Sequence, residues 1–405
     1  DESVVALLSL LSLVVGVALY VWTSLALGAM FRKMGEESWK GWVPFLNVAT
    51  VLRWGGAVLC ALGAGAVAFA GWFATTFQSD LTVQSRQDSP AGGMELVVLA
   101  GSATFAPDPI WDYMHDTGVI EEWERDTGYS IETSATWDEF GLFAGGHADI
   151  ISSASFEVPA LEEQTQRETV IIGKYNAERS RILVRRDDPA QSLADLKGRR
   201  LGVFTTVSGT LVWSALAAQM HGVNVVDGDF DVVVADIQNL SNLLARGEID
   251  ACICYPDLSA RELRDGSVRP LYDGKSSADL FAELVAPGHD GPMGNVFVAR
   301  KDWVDGHPGE VAAFLDLWDR GLAEWQVHRD AMIERYPQHF AVATPEDIEF
   351  MKAYVNQHDW VTDEVRFDPQ WAADESSIFD LMRATGVIGE DVTDPQFLPT
   401  EGVQP

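Results

Sequence analysis

From Met94 to Arg300, short apolar segments alternate with helical patterns, and that alternation leaves few folds open to the chain. MELVVLAG (94–101), YSIETSAT (129–136), ADIISSAS (148–155), TVIIG (169–173) and RILVRR (181–186) read as strands, as do RLGVFT (200–205), DVVVAD (231–236), DACICY (250–255) and NVFVAR (295–300). They are short, rich in Val and Ile, and bounded by Gly, Asp, Asn or Ser. Helices fit over Ile110–Thr127, Gly209–His221 and Ile237–Arg246. Strand–helix–strand succession at this spacing predicts an α/β fold with parallel sheets. After Lys301 the pattern is helical only. Val311, Phe314, Leu315, Trp318, Leu322 and Trp325 recur at helical spacing, and Ile348, Met351, Tyr354 and Val355 form a second stripe. Trp111, Trp213 and Trp318 fall on helices and read as core.

Two similar strands flank the middle of this region. RILVRR precedes a new α/β unit, and NVFVAR follows its end. Strands that leave and re-enter one sheet make the segment between them an inserted lobe. The expected division is residues 94–189 and 286–405 for lobe one with the C-terminal helices, and 190–285 for lobe two. A cleft between lobes is the usual seat of a small-molecule site.

The N-terminal region differs in kind. Residues 4–31 are 28 residues without a charge, against the ~20 needed to cross a bilayer. A second apolar stretch covers residues 56–77. Arg32, Lys33 and Lys40 sit between them, with Arg53 at the start of the second. By the positive-inside rule that loop is cytoplasmic, and everything after Phe77 is extracytoplasmic. The expectation for residues 1–77 is therefore a transmembrane hairpin, and for residues 78–93 a polar, flexible linker. This places the protein at the cell membrane, two-pass, with its C-terminal domain outside.

Nearly all of the formal net charge of −33 falls after Gly93. That sign excludes nucleic acid as a partner, since phosphate binding needs the opposite one. The acidity reads as a solvated surface. Of the three Cys, Cys60 lies in an apolar run. Cys252 and Cys254 share one strand face, where a bridge is expected to be strained, so both read as buried structural residues. No GxSxG, HExxH or P-loop is present, and the eight His are scattered. The sequence implies no enzyme, metal or cofactor. His147 is the His nearest the expected cleft.

Candidate ligand contacts lie in loops at the carboxyl ends of strands. The stretch LKGRRLGVFTTVSGTLVWSAL (196–216) leads from a strand through a hydroxyl-rich loop into a helix. The first turn of a helix carries unpaired N–H groups and partial positive charge, so Thr206, Ser208, Gly209 and Thr210 can hold an anionic or strongly accepting group. Ser208 or Thr206 can equally serve as a simple N-cap. Thr104 and Phe105 follow the first strand, Trp137 offers an aromatic wall, and Ser153 and Ser155 end the third strand. Tyr255 and Asp257 follow DACICY, and an acid at Asp257 would select a cationic or donor-bearing ligand. Helix-end capture of an anion and an acidic cleft point in opposite directions, and a zwitterion satisfies both.

Four segments carry a family resemblance. SLADLKGRRLGVFTTVSGT, NLSNLLARGEIDACICYPDL, FGLFAGGHADIISSAS and NVFVARKDWVDGHPGEVAAFLDLWDRGLAEWQVHRD are similar to segments of type II periplasmic solute-binding proteins of ABC importers. The group is that of nitrate, sulfonate and taurine, which also contains binding proteins for thiamine-pyrimidine precursors. The resemblance spans residues 96–390. It implies a two-lobed receptor that closes on a small organic solute, sulfonate, zwitterion or pyrimidine-like, about the RILVRR and VFVARK crossovers. The receptor would present that solute to an ABC permease. The two-helix anchor departs from the family's usual cleaved signal or lipid. It leaves a second expectation open, an accessory subunit of a larger membrane protein complex that reuses the fold as an interaction surface.

Overall fold

The computed structural model describes residues 95–102, 109–136, 139–226 and 228–398. The expected membrane segments at 4–31 and 56–77, the loop between them and the linker lie outside the described residues, as do Thr104, Phe105 and Trp137. Among the described residues no helix is long and apolar enough to cross a membrane.

In chain order the first elements are β1 (Glu95–Ser102), α1 (Pro109–Thr117), α2 (Val119–Thr127), β2 (Tyr129–Thr136), α3 (Glu139–Ala144), β3 (Ile150–Ser153), α4 (Val158–Thr165) and β4 (Thr169–Ala177). The chain then enters a second unit. It comprises β5 (Arg181–Arg185), β6 (Arg200–Val203), α5 (Ser208–His221), β7 (Asp231–Val234), α6 (Leu240–Ala245), β8 (Ala251–Cys254), α7 (Ala260–Asp265), β9 (Val268–Pro270) and α8 (Ser277–Leu284). It returns through β10 (Met293–Arg300) and finishes with α9 (Lys301–Gly306), α10 (Pro308–Arg335), α11 (Pro345–Gln357), α12 (Pro369–Ala384) and β11 (Gln396–Phe397).

Two sheets result, in the orders β11-β4-β10-β3-β1-β2 and β7-β6-β8-β5-β9. Each is mixed, where the sequence pattern predicts parallel sheets. In the first, β1 runs parallel to β2 and β3, while β10 is antiparallel to β3 and β4. In the second, β6 is parallel to β7 and β8, while β5 is antiparallel to β8 and β9. The antiparallel strands are the ones next to the crossings, where the chain changes sheets and re-enters in reverse. The sequence reading misses β9, whose Pro270 suits a sheet edge because Pro cannot donate to a ladder on both sides.

Both sheets are covered on both faces, as side-chain alternation requires. In β10, Phe297 and Ala299 enter one core with α1, α2 and α10, while Val296 and Val298 face the other with Phe143 and Leu161. In β8, Ala251 and Ile253 pack with α5, and Cys252 and Cys254 lie on the opposite face with Leu240 and Leu244. Cys252 and Cys254 are joined by a disulfide with a Cα–Cα distance of 5.4 Å, which corrects the expectation of an unbridged pair. The shared strand face that made a bridge look strained is also what brings the two sulfurs within reach.

Three further differences have local causes. The helix expected over 110–127 is two, α1 and α2, because Gly118 adopts φ 84° between them, a conformation other L-residues resist. The second sheet begins at Arg181, ahead of the expected boundary at 190, since Ile182 and Leu183 pair with Ile253 and Cys252. RILVRR is thus a strand of the second sheet and not a crossover. The crossing strand-ends are Glu178–Ser180, between β4 and β5, and residues 285–292, between α8 and β10. Finally, α12 leaves the other C-terminal helices and buries Ile378, Phe379 and Met382 in the core of the second sheet, against α5. Its buried Glu375 accepts from the Met293 N–H at 2.8 Å, from Ser155 Oγ, and pairs with His289 Nε2 at 2.6 Å, which fixes the helix across the re-entry to β10.

Candidate functional site

A cavity of about 350 Å³ lies where the two sheets face each other. Its wall takes Ser152 and Ser153 from β3, Phe204 and Thr205 from the loop after β6, Ser208 and Leu211 from α5, and Tyr255 from the loop after β8. These all follow, or end, the parallel strands of the two sheets, the position at which open α/β sheets bind ligands. Glu178 and Arg179 from the first crossing and Gly294 and Asn295 from β10 also line it.

The hydrogen bonds around the cavity order its polar rim. Asn176 Nδ2 donates to Asn295 Oδ1 at 2.7 Å, and Asn295 Nδ2 donates to Ser152 Oγ at 3.1 Å. On the other side Trp213, wholly buried on α5, donates its indole N–H to Ser180 Oγ at 3.0 Å. The crossing between the sheets is thereby tied to the helix that opens onto the cavity.

Two carboxylates stand in the wall. Glu157 follows β3 in a 3₁₀ turn, and its Oε2 accepts from Ser153 Oγ at 3.2 Å and the Ala154 N–H at 3.3 Å. Burial pushes its carboxyl up to about 7, while the Ala154 N–H and the Ser153 and Ser208 hydroxyls pull it back. Glu178 is 2% exposed, and its Oε1 accepts the Ser180 N–H at 2.9 Å. Burial raises its carboxyl too. Tyr255 has its phenol raised well above the ordinary value by burial and then by the Glu178 charge.

Among the described residues the one cation in the wall, Arg179, is already committed. Arg179 forks onto Asp257, Nε to Oδ1 at 2.9 Å and Nη2 to Oδ2 at 2.6 Å, with the side chains 5% and 6% exposed. Its guanidinium lies 5.2 Å from the Tyr255 ring centroid and 5.4 Å from that of Trp360. Such a planar, bidentate pair is the geometry Arg provides and Lys does not.

The residues singled out from sequence therefore divide. Ser153, Ser208 and Tyr255 line the cavity. Asp257 does not; it faces Arg179, so the acid expected to select a ligand is neutralised by the protein itself. Ser155 is also turned away, its hydroxyl donating to Glu375 and to the Met293 carbonyl at 3.3 Å. Thr210 is buried with its hydroxyl on the Thr205 carbonyl at 2.6 Å, and Thr206 is exposed outside the wall. His147 is exposed and lies outside the cavity wall. No side chain caps α5, so Ser208 and Thr206 are not the N-caps they resemble.

Gly209 permits a close approach, but by the protein's own groups and not by a ligand. A Cβ there would stand 2.9 Å from Tyr255 Oη, 3.0 Å from Glu178 Oε1 and 3.1 Å from Ser180 Oγ. Gly209→Ala is expected to cost about 1–3 kcal/mol by overpacking, read as a lower midpoint in urea unfolding. An unchanged midpoint would show that these three side chains yield freely.

Sequence reasoning passes over Glu157 and Glu178. One signal was available for Glu157, which lies just past Ser153 and Ser155 in the loop after β3. Nothing local marks Glu178, whose place is set by the crossing.

Comparison with solved structures gives the class. The fold is that of periplasmic binding proteins. The alkanesulfonate-binding protein SsuA from Xanthomonas axonopodis pv. citri, bound to MOPS, is similar over 76% of this chain and 100% of its own, with a TM-score of 0.60 at 14% identity. The periplasmic aliphatic sulphonate binding protein SsuA from Escherichia coli gives a TM-score of 0.56 at 15% identity, over 74% of this chain and 95% of its own. The Candida albicans CA3427 gene product, a protein with the generic periplasmic binding protein structural fold, gives 0.53 at 14% identity, over 77% and 100%. The family model described as "NMT1/THI5 like" matches residues 134–331, a little under half of the chain. No curated protein matches the chain in sequence.

Proposed function

We propose that this chain is the solute-binding component of an ABC importer, taking one small organic molecule into the cavity between its two sheets. The observation that carries the reading is that cavity, walled by the carboxyl ends of parallel strands from both sheets, which are joined at Glu178–Ser180, at residues 285–292 and through α12, which packs on the second sheet before β11 returns to the first. We take the two lobes to be the two sheets with their helices. They would close by hinging at Glu178–Ser180, at residues 285–292 and at the ends of α12, since a few element-terminal residues suffice to absorb such a motion. The two apolar segments at 4–31 and 56–77 would hold the receptor on the outer face of the membrane, beside its permease, in place of free diffusion.

The fold of the sulfonate-binding structures supports this reading, and the family match over 134–331 agrees with it. The test is a panel of sulfonates, amino acids, pyrimidines and amines on the full-length chain, read by thermal unfolding and small-angle scattering. A true solute raises the melting temperature in a dose-dependent way, by about 2.7 kcal/mol of stability at a hundred times its Kd, and contracts the particle. If no compound of any class does both, and the chain co-purifies with an unrelated membrane complex, the accessory-subunit reading replaces this one.

A further inference from the structure

Resting on the receptor reading, we infer that the solute is an organic cation bearing N–H donors, an ammonium, amidinium or guanidinium, seated between Glu178 and Glu157, and that organic anions are excluded. Both carboxylates stand in the cavity wall. Among the described residues neither takes part in an ion pair, and the one basic residue of the wall, Arg179, is held by Asp257. A buried carboxylate without a positive partner is costly, and proteins supply one or keep the group neutral. Here both carboxylates face the cavity. Glu178 Oε1 accepts from the Ser180 N–H, whereas among the described residues Oε2 accepts no hydrogen bond and lies against Gly294 in the wall.

The start of α5, where an anion would otherwise sit, is already occupied by the protein. Glu157 and Ser208 share this end of the cavity wall, and Glu178 Oε1 lies against Gly209. A sulfonate entering this end would meet two carboxylates before it met a helix N–H. The wall also carries the faces that favour cations: Tyr255, Phe140 and Phe204 line it, and an aromatic face attracts a positive group within about 6 Å. At about 350 Å³ the space suits one small molecule.

The experiment is calorimetric titration of the full-length chain at pH 8 with agmatine and benzamidine as cations, and butanesulfonate and MOPS as anions. At least one cation is expected to bind, and neither anion. Glu178→Gln and Glu157→Gln are each expected to weaken that cation about ten- to hundredfold, the worth of a hydrogen bond to a charged group. Their melting temperatures without ligand should hold or rise, because each removes a buried charge, so the loss of binding is not misfolding. The inference is overturned if a sulfonate binds the unaltered protein, or if neither cation does. A bound sulfonate would leave the receptor reading intact, whereas silence from every class in the wider panel would sink the receptor reading itself.

Discussion

Asp257→Ala is expected to lower the stability of the protein by about 3–5 kcal/mol, because it strands a buried guanidinium. Arg179 is 95% removed from solvent, and both arms of its fork end on Asp257. Neither aromatic face beside it, Tyr255 or Trp360, can replace a carboxylate. The pair also joins the first crossing to the loop after β8, so its loss loosens a contact between the sheets as well as a charge. The measurement is urea unfolding, in which the midpoint should fall with little change in slope. Replacing both partners, Arg179→Met with Asp257→Leu, should recover most of the loss, since the desolvation of two ions disappears with their attraction. An Asp257→Ala stability within about 1 kcal/mol of the original would mean that Arg179 finds another anion. The obvious one is Glu178, and in that event the cavity would lose its cation affinity at the same time.

That pair also shows where sequence reading stops. Asp257 follows a strand in a cleft loop, so its type and position are those of a ligand contact. Its partner lies 78 residues earlier, and no local pattern announces it. Strands and helices were legible because their signal is local: a short β-branched run in TVIIG, buried on both faces, and an apolar stripe in α10 whose Val311, Phe314, Trp318, Leu322 and Trp325 are all buried. Ser153, Ser208 and Tyr255 were legible for a related reason, since the ends of parallel strands converge whatever the sequence between them. What α12 covers was not legible. Ile378, Phe379 and Met382 announce a buried helical face, but the sheet they bury it against is decided by packing across the whole chain. The two glutamates of the cavity were lost among 61 acidic residues. A carboxylate's importance here comes from the nearest cation, Arg179, being paired with Asp257 instead, and only the folded chain shows what stands beside what.

The same carboxylates set an expected pH dependence. Binding of agmatine or benzamidine should weaken about a hundredfold between pH 8 and pH 5, at one proton per molecule bound. Glu157 titrates at about 7 in the folded protein against an ordinary 4.5. The cation needs the ionised form, so affinity falls tenfold for each unit below 7, while the probes' own charge is constant over that range. The groups facing Glu157 are Glu178, whose charge raises it, and beyond that Tyr255 and the Arg179–Asp257 pair. Tyr255 and Arg179, both raised above their ordinary values, keep their state across this window, so the slope belongs to the cavity carboxyls. Stability without ligand runs the other way. A group whose folded value is raised binds its proton more tightly when folded, so its contribution is complete below about 4.5 and is lost as pH rises through 7. Glu157's own contribution to stability without ligand is thus expected to be greatest where the cation binds worst. Glu157→Gln should flatten both curves between pH 5 and 8, and a binding curve unchanged by that substitution would remove Glu157 from the site.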